Sequence, residues 1–249
     1  MPTEPATMCP ADRHADWPDD PPVQPVASLA AARRLAAGCR RCDLWRGASR
    51  TVFGEGADGQ AAPPADRSPH LMLVGEQPGD KEDLAGHPFV GPAGRILDQA
   101  LEAAGIDRAR IYLTNAVKHF KNEPRGKRRL HRRPDAGEID RCRWWLDLER
   151  QFVRPRVIVA LGASAARAVL GRAVTISRSR GRFWPLDARE VAPATEVPAT
   201  IALVTVHPSF ILRQRDRPGR DRAWRQLVED LSTAREGPAA PHTANGSEP

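Results

Sequence analysis

The sequence predicts a three-layer α/β/α sandwich around a central four-stranded parallel sheet. Four apolar runs have the length of buried strands and lie at residues 71–75, 111–115, 157–161 and 201–206. Segments with the apolar spacing of amphipathic helices separate these runs. Strands that are apolar throughout and alternate with helices are typical of a parallel sheet covered on both faces, and right-handed crossovers then place the helices in two outer layers.

The remaining elements follow in chain order. A leading helix is expected at residues 27–35, and further helices are expected at 92–104, 137–152, 163–170 and 220–234, with a long basic loop before the third of these five. The carboxyl ends of parallel strands share one edge of the sheet, where α/β proteins bind ligands. The predicted site therefore comprises the segments that follow the strands, at residues 76–83, 115–131, 162–164 and 207–212.

The composition is that of a globular protein. The 249 residues are 41% hydrophobic and 28% charged, which suits one medium-sized core. No apolar run approaches the ~20 residues of a membrane helix, and the Pro- and Asp-rich start lacks the pattern of a secretory leader. We expect a cytoplasmic monomer without membrane contact, with one domain at residues 27–235 between disordered segments at 1–26 and 236–249.

The charge is distributed unevenly along the chain. The formal net charge is +7, although the first 30 residues contain five acids and one arginine. Residues 118–133 (KHFKNEPRGKRRLHRR) contain eight Lys or Arg and one Glu. This clustering favours a polyanionic partner over a general compositional bias toward arginine, while the charges alone indicate no more than a solvated loop that binds phosphate.

Three cysteines and one histidine form a candidate metal-ligand set. Cys39 and Cys42 have the CxxC spacing that lets two thiolates bind one metal centre, and His119 and Cys142 complete a Cys3His set. Cys9 lies in the acidic leader and is left out. Zinc and iron–sulfur clusters both accept thiolate and imidazole ligands, and the spacing alone ranks zinc slightly ahead. A CxxC pair considered alone is also typical of two cysteines with a structural or redox role and no metal.

Several short motifs occur in a fixed order. They are the CxxC pair, GEQPG at 75–79, GHPFVG at 86–91, TNAVK at 114–118 and HPS at 207–209. In this order they resemble the family 4 uracil-DNA glycosylases, over roughly residues 36–231. The resemblance implies the glycosylase fold, uracil-containing DNA as substrate with a preference for single strands, and a structural [4Fe–4S] cluster instead of zinc. His119 stands where that family has its third cysteine, and an imidazole is a competent replacement ligand.

The resemblance also implies which residues bind the base. Phe89 would stack on the extruded uracil, and Asn115 would read its edge because one amide can both donate to O4 and accept from N3–H. His207 would stabilise the negative charge that develops on O2 as the base leaves. Ser209, in the same HPS motif, belongs to the substrate-binding set. Considered alone, Phe89 is more typical of a core aromatic and His207 of a structural histidine, and Asn115 is also typical of a strand-end cap.

The GEQPG motif supplies the candidate acids. By resemblance, Gln77 flanks the sugar and the uracil O2. An amide accepts no proton, so Gln77 does not serve as a general base, and Glu76 and Asp80 are the candidate catalytic carboxylates. Without the resemblance, the same residues form an ordinary turn between a strand and a helix.

The basic loop resembles a distinct branch of these enzymes, known as UdgX. Residues 127–131 read KRRLH, which is similar to the KRRIH loop whose histidine bonds covalently to the sugar in that branch. The GEQPGDKED string at 75–83 and His119 match the same branch. The resemblance implies that His131 captures the sugar after uracil departs. We expect Glu76 to orient His131 and Arg129 to steady the loop or bind a phosphate.

Two other functions remain compatible with the sequence. The first is a conventional family 4 glycosylase that turns over and leaves a free abasic site, in which the basic loop only grips phosphate. The second is a non-catalytic, metal-stabilised nucleic-acid binding module. Asn115 and His207 disfavour the second, because binding phosphate requires neither residue.

Overall fold

We describe the fold from a computed structural model of the chain, which covers residues 26–57, 71–186 and 200–238. The predicted leader at 1–26 and the predicted tail lie almost entirely outside these described residues, as does Cys9. Within the described ranges, no helix has the length and apolar character that a membrane span requires.

A six-stranded sheet forms the centre of the domain, and a separate two-stranded hairpin lies apart from it. The strands within the described residues are, in chain order, β1 (Glu55–Gly56), β2 (Leu71–Gly75), β3 (Tyr112–Asn115), β4 (Asn122–Arg125), β5 (Arg128–His131), β6 (Val157–Leu161), β7 (Phe183–Pro185) and β8 (Ile201–Thr205). The order in the sheet is β1-β3-β2-β6-β8-β7. The four inner strands are parallel, as predicted, while β1 and β7 are short antiparallel edge strands.

Helices cover both faces of the sheet. They are α1 (Leu29–Ala36), α2 (Asp80–Ala85), α3 (Pro92–Ala103), α4 (Ala136–Val153), α5 (Ala163–Leu170), α6 (Ile176–Ser179), α7 (Pro208–Leu212) and α8 (Arg217–Glu236). Met72 and Val74 of β2 pack under α1, α4 and α5, whereas Leu71 and Leu73 pack under α3 and α8. This alternation within one strand confirms the three-layer sandwich.

The long basic loop predicted after the second strand is largely a β-hairpin. Strands β4 and β5 pair antiparallel, with Asn122 opposite His131 and Arg125 opposite Arg128. Gly126 has φ +58° at the turn, a conformation that glycine adopts without steric penalty. The loop prediction was wrong because both strands are charged and carry no apolar alternation, so the backbone pairing leaves no hydrophobic signal in the sequence.

Candidate active site and buried thiol cluster

A cleft of about 1230 Å³ opens at the carboxyl edge of the parallel strands. Strand order reverses between β2 and β6, and a ligand site at such a switch point is usual in open parallel sheets. Segments that follow all four parallel strands line the cleft, and their side chains include Glu76, Phe89, Asn115, His131 and His207. The cleft therefore lies at the edge of the sheet that the sequence predicts.

Phe89 and Asn115 are packed tightly at the end of β2. Phe89 has φ +57°, a left-handed conformation that is strained for an aromatic residue. A Cβ on Gly75 would lie 2.6 Å from Cζ of Phe89 and would overlap Oδ1 of Asn115. A Cβ on Gly94 would overlap the Phe89 carbonyl. The ring and the amide thus occupy space that only glycine leaves free, and both side chains are buried.

His207 is held as a neutral hydrogen-bond donor. It caps α7, and its Nδ1 accepts the backbone N–H of Ser209 at 3.1 Å. An accepting Nδ1 carries no proton, so the proton of the neutral ring resides on Nε2. Burial, followed by the positive charges of Arg213 and His131, lowers the pKa of His207 to about 4. The ring also stacks on Phe89, with centroids 6.4 Å apart.

His131 ends β5 and faces Glu76. Its side chain is 49% exposed, and its Nε2 lies 3.4 Å from Oε1 of Glu76. The other carboxylate oxygen, Oε2, accepts the hydroxyl of Ser164 at 2.6 Å and lies 3.6 Å from Nε of Arg133. Ser164 is buried in the first turn of α5. The two oxygens of Glu76 therefore have separate partners, the scaffold on one side and His131 on the other.

Arg129 ties the hairpin to α2. Its guanidinium pairs with Asp80 at 2.7 Å and with Asp83 at 2.5 Å, and it donates to Oγ of Ser49 at 3.0 Å. It also lies over the ring of Phe120, 5.3 Å from the centroid. Asp83 is fully buried, and both of its oxygens accept the backbone N–H of Ser49. Asp80 and Asp83 thus hold the hairpin through one arginine.

Gln77 fixes the base of the same hairpin. Its Nε2 donates to the carbonyls of Arg132 at 2.9 Å and Lys121 at 3.3 Å, and its Oε1 accepts the N–H of Lys121 at 3.0 Å. The amide also lines the cleft. Three of its four hydrogen-bonding positions are therefore used where the hairpin closes, which leaves one acceptor position for a ligand.

A buried ion pair supports the loop after β3. Lys118 and Glu149 are both fully buried, with Nζ of Lys118 2.6 Å from Oε2 of Glu149. Nζ also donates to Oγ1 of Thr114 and to the carbonyl of Asn115, while Oε1 of Glu149 accepts the N–H of Gly54 at 2.8 Å. Breaking one side of such a pair leaves an uncompensated buried charge, so the network fixes the end of β3 against α4.

Cys39, Cys42 and Cys142 are buried free thiols. The backbone N–H of Lys118 donates to Sγ of Cys142 at 3.2 Å, and the indole N–H of Trp145 donates to Sγ of Cys39 at 3.1 Å. Burial raises the pKa of Cys142 to about 12, and it also raises that of Cys42. Thiols so deeply buried stay neutral unless a cation beside them stabilises the thiolate.

His119 has the features of a metal ligand. It is 3% exposed, and burial lowers its pKa to about 4, so that the ring is neutral. Its Nε2 lies 2.9 Å from Oγ1 of Thr51, while its buried Nδ1 has no hydrogen-bond partner in the described part of the chain. A buried nitrogen left without a partner is costly, and a metal centre would satisfy it.

The four donors are not gathered around a single point. In the described ranges, no group of three or more His, Cys, Asp or Glu side chains is arranged to hold one metal ion. Cys39 and Cys42 nevertheless lie close enough to raise the pKa of Cys142 electrostatically.

Comparison with known proteins identifies the family. A family model described as the uracil DNA glycosylase superfamily matches residues 64–232. The chain is 33% identical over 201 residues to the Type-4 uracil-DNA glycosylase of Thermotoga maritima, across 79% of this chain and 88% of that protein. It is 30% identical over 192 residues to the Type-4 uracil-DNA glycosylase of Sulfurisphaera tokodaii, across 74% and 76%. The chain belongs to the uracil-DNA glycosylase superfamily.

In this superfamily member, most of the side chains selected from the sequence line one cleft: Glu76, Gln77, Asp80, Phe89, Asn115, His131, His207 and Ser209. Arg129 lies outside it and acts through α2, and the three cysteines with His119 form a separate buried group. Sequence reasoning missed Ser164, Lys118, Asp83 and Glu149. Lys118 and Asp83 lie within motifs that were recognised, and Ser164 ends the predicted site segment at 162–164 but was given no role, whereas nothing in the sequence marks Glu149.

Proposed function

We propose that this protein excises uracil from DNA, preferring single strands, and is then captured as a covalent adduct through His131. The observation that supports the proposal most is the convergence of five side chains in one cleft, from the segments that follow β2, β3 and β8: Glu76, Phe89, Asn115, His131 and His207. A module that only binds phosphate needs no strained buried aromatic and no neutral, half-buried histidine. One chain supplies every one of these groups, and the protein acts as a monomer.

Uracil binding uses the pre-formed part of the cleft. The base stacks on Phe89, and the amide of Asn115 pairs with its O4 and N3–H, a pattern that cytosine does not satisfy. Extrusion of a base from a duplex requires unpairing and unstacking, which costs a few kcal/mol. A single strand avoids most of that penalty, which favours it as the substrate.

Bond cleavage relies on His207. As the C1′–N1 bond breaks, its electron pair moves onto the uracil, and negative charge develops on O2. The Nε2–H of neutral His207 donates to that oxygen, and a donor fixed in advance by Ser209 needs no reorganisation during the reaction. The sugar is left as an oxocarbenium-like cation.

Capture relies on the hairpin. A lone pair on an imidazole nitrogen of His131 bonds to C1′, and the ring proton passes to Glu76 or to solvent. The departed uracil anion takes up a proton from solvent and leaves as free uracil. Proximity favours a tethered imidazole over water. The alkylated ring has no built-in release step, which makes the protein a single-turnover enzyme of the UdgX branch. Gln77, Arg129, Asp80 and Asp83 hold the hairpin in place for this step.

A [4Fe–4S] cluster is the proposed cofactor, with zinc as the less favoured alternative. Cys39, Cys42, His119 and Cys142 would hold it, and the unpartnered Nδ1 of His119 is the atom that fits this role best. When bound, the cluster supplies structural cross-linking between the segment before β1, the loop after β3 and α4. Iron and sulfide analysis of the purified protein, with zinc measured in parallel, tests the assignment.

The function is tested with a labelled single-stranded oligonucleotide that contains one uracil. We expect one free uracil per protein molecule and a protein–DNA band that survives heat and detergent on a denaturing gel. Release of many uracils per protein without such a band would instead indicate a conventional turnover glycosylase. Absence of any uracil release by the metal-loaded protein would contradict the proposed function altogether.

Two variants separate the steps. His131→Ser is expected to lose the adduct while uracil is still released. Asn115→Ala is expected to lose uracil release and, as a consequence, the adduct as well. If His131→Ser still formed the heat-stable band, another residue would be the nucleophile.

A further inference from the structure

A second basic surface borders the cleft, on the side away from the hairpin. Residues 213–225 (RQRDRPGRDRAWR), which join α7 to the first half of α8, contain six arginines and two aspartates. Near α6, residues 172–186 contain arginines but no acid. We refer to five of the exposed arginines of these two segments as the α8 rim, namely Arg178, Arg182, Arg213, Arg215 and Arg222.

Packing within the protein does not account for these charges. Arg178, Arg215 and Arg222 make no ion pair and no side-chain hydrogen bond to any other described residue. The two aspartates of the segment are engaged elsewhere, since Asp216 accepts the N–H of Gly219 at 2.6 Å and Asp221 lies 3.9 Å from Arg217. Among the described residues these three guanidiniums have no counter-ion, so their positive charge is available to an anionic partner.

The α8 rim is continuous with the cleft. Arg213 and Gln226 line the cleft, together with Arg180 and Ser177 beside α6. Arg222 lies one helical turn before Gln226, on the same flank of α8. The rim therefore begins at the wall of the cleft and extends outward along the start of α8.

The two basic surfaces lie on opposite sides of the reacting groups. The hairpin follows β3, which lies on one side of the β2–β6 switch point, and α6 and α8 pack against β8 on the other. Arg132 and Arg133 line the cleft from the hairpin side, whereas Arg213 lines it from the rim side. A strand that places one base in the cleft would thus pass from one basic surface to the other.

We propose that the α8 rim binds the backbone phosphates of the DNA strand on one side of the excised base, while the hairpin binds those on the other. The inference rests on the proposed function, because the uracil site lies between the two surfaces. Guanidinium groups bind phosphate through paired hydrogen bonds, and such contacts fix the register of a strand without reading its sequence.

The test compares two double variants with the same loss of charge. Arg215→Gln with Arg222→Gln removes two rim cations. Arg154→Gln with Arg156→Gln removes two exposed arginines that precede β6, at the opposite edge of the sheet.

Binding of a single-stranded oligonucleotide without uracil is measured at several salt concentrations. Each phosphate contact contributes about 0.7 to the slope of log affinity against log salt, so we expect a slope about 1.4 smaller for the rim variant and an unchanged slope for the control. Equal slopes for the two variants would overturn the proposal.

A second measurement locates the contact along the strand. Uracil is placed near the 5′ or the 3′ end, and the second-order rate constant for its release is followed as the longer flank is extended. In the wild type, lengthening either flank should raise this rate constant. We expect the rim variant to lose the increase that one flank provides and to keep the increase that the other provides. Loss of both gains, or of neither, would contradict the proposal. If the wild type released no uracil, the proposed function would fail while the salt dependence still decided whether the rim binds DNA.

Discussion

Oε1 of Glu76 lies 3.4 Å from Nε2 of His131, although the two residues belong to different strand ends that are far apart in the sequence. Glu76 follows β2 directly, and His131 reaches it because the hairpin is folded back over α2. The second carboxylate oxygen is held by Ser164. We therefore propose that Ser164 is a positioning residue, which acts on His131 through Glu76.

Ser164→Ala should slow adduct formation more than uracil release. The lost hydrogen bond has a charged acceptor and contributes about 1.5–3 kcal/mol, which corresponds to a roughly tenfold or greater decrease in the capture rate. Single-turnover quench experiments give both rates from one reaction. Ser164→Thr should recover capture, and Ser232→Ala, which removes a hydroxyl bonded only within α8, is the matched control. Equal slowing of both steps would contradict the positioning role.

Arg129→Ala should loosen the hairpin that carries His131. The change removes the ion pairs to Asp80 and Asp83 and leaves the fully buried Asp83 without its cation. We expect faster hydrogen exchange in residues 122–131 and roughly tenfold or more slower adduct formation. Arg156→Ala removes an exposed charge before β6, away from the hairpin, and should change neither measurement by more than about twofold. Unchanged exchange in Arg129→Ala would show that the hairpin is held by other contacts.

Gly75→Ala should disrupt the uracil-binding groups more than it disrupts the rest of the fold. The added Cβ overlaps the Asn115 amide and the Phe89 ring, so both groups must move. Misplacement of binding groups by about 1 Å lowers rates on the order of 100-fold, and we expect that loss in the rate of uracil release. In Gly137→Ala the nearest contact of the new Cβ is an ordinary 3.4 Å, which makes this variant the control. A wild-type rate in Gly75→Ala would contradict the proposed base pocket.

The lowered pKa of His207 predicts that the free energy of unfolding decreases as the pH falls. The ring titrates near its ordinary value of 6.5 when unfolded and at about 4 when folded. Between these values the unfolded chain binds a proton that the folded protein does not, so this histidine lowers the free energy of unfolding as the pH falls from 6.5 to 4. In denaturant titrations across that window, His207→Gln should lose less stability than the wild type. The exposed His87→Gln serves as the control, and parallel curves for wild type and His207→Gln would refute the prediction.

The sequence predicts the parts of the fold that depend on apolar periodicity. All four parallel strands were located, because each is buried on both faces and therefore apolar throughout. The edge strands β1 and β7 were missed, because strands of two or three residues are too short to show an alternation of apolar and polar side chains. The hairpin was taken for a loop because its pairing is fixed by Gln77 and Arg129, whose partners lie 44 to 55 and 46 to 49 residues away.

The candidate site was predictable only where a motif carries it. Phe89, Asn115 and His207 follow from motifs, and the cleft lies where the parallel topology requires it. Ser164 lies in the predicted site segment at 162–164, but its role could not be assigned from the sequence, because that role depends on the ends of β2 and β6 lying side by side. Lys118 belongs to a motif, yet its burial depends on Glu149, 31 residues away, and lysine is usually exposed.

Mass spectrometry of the reaction between the purified protein and a uracil-containing single strand tests the central claim most directly. The account predicts an intact species whose mass equals that of the protein plus the oligonucleotide minus free uracil, and a digest in which the deoxyribose is attached to His131. An unmodified protein recovered together with free uracil and an abasic strand, or a sugar attached to any other residue, would contradict it.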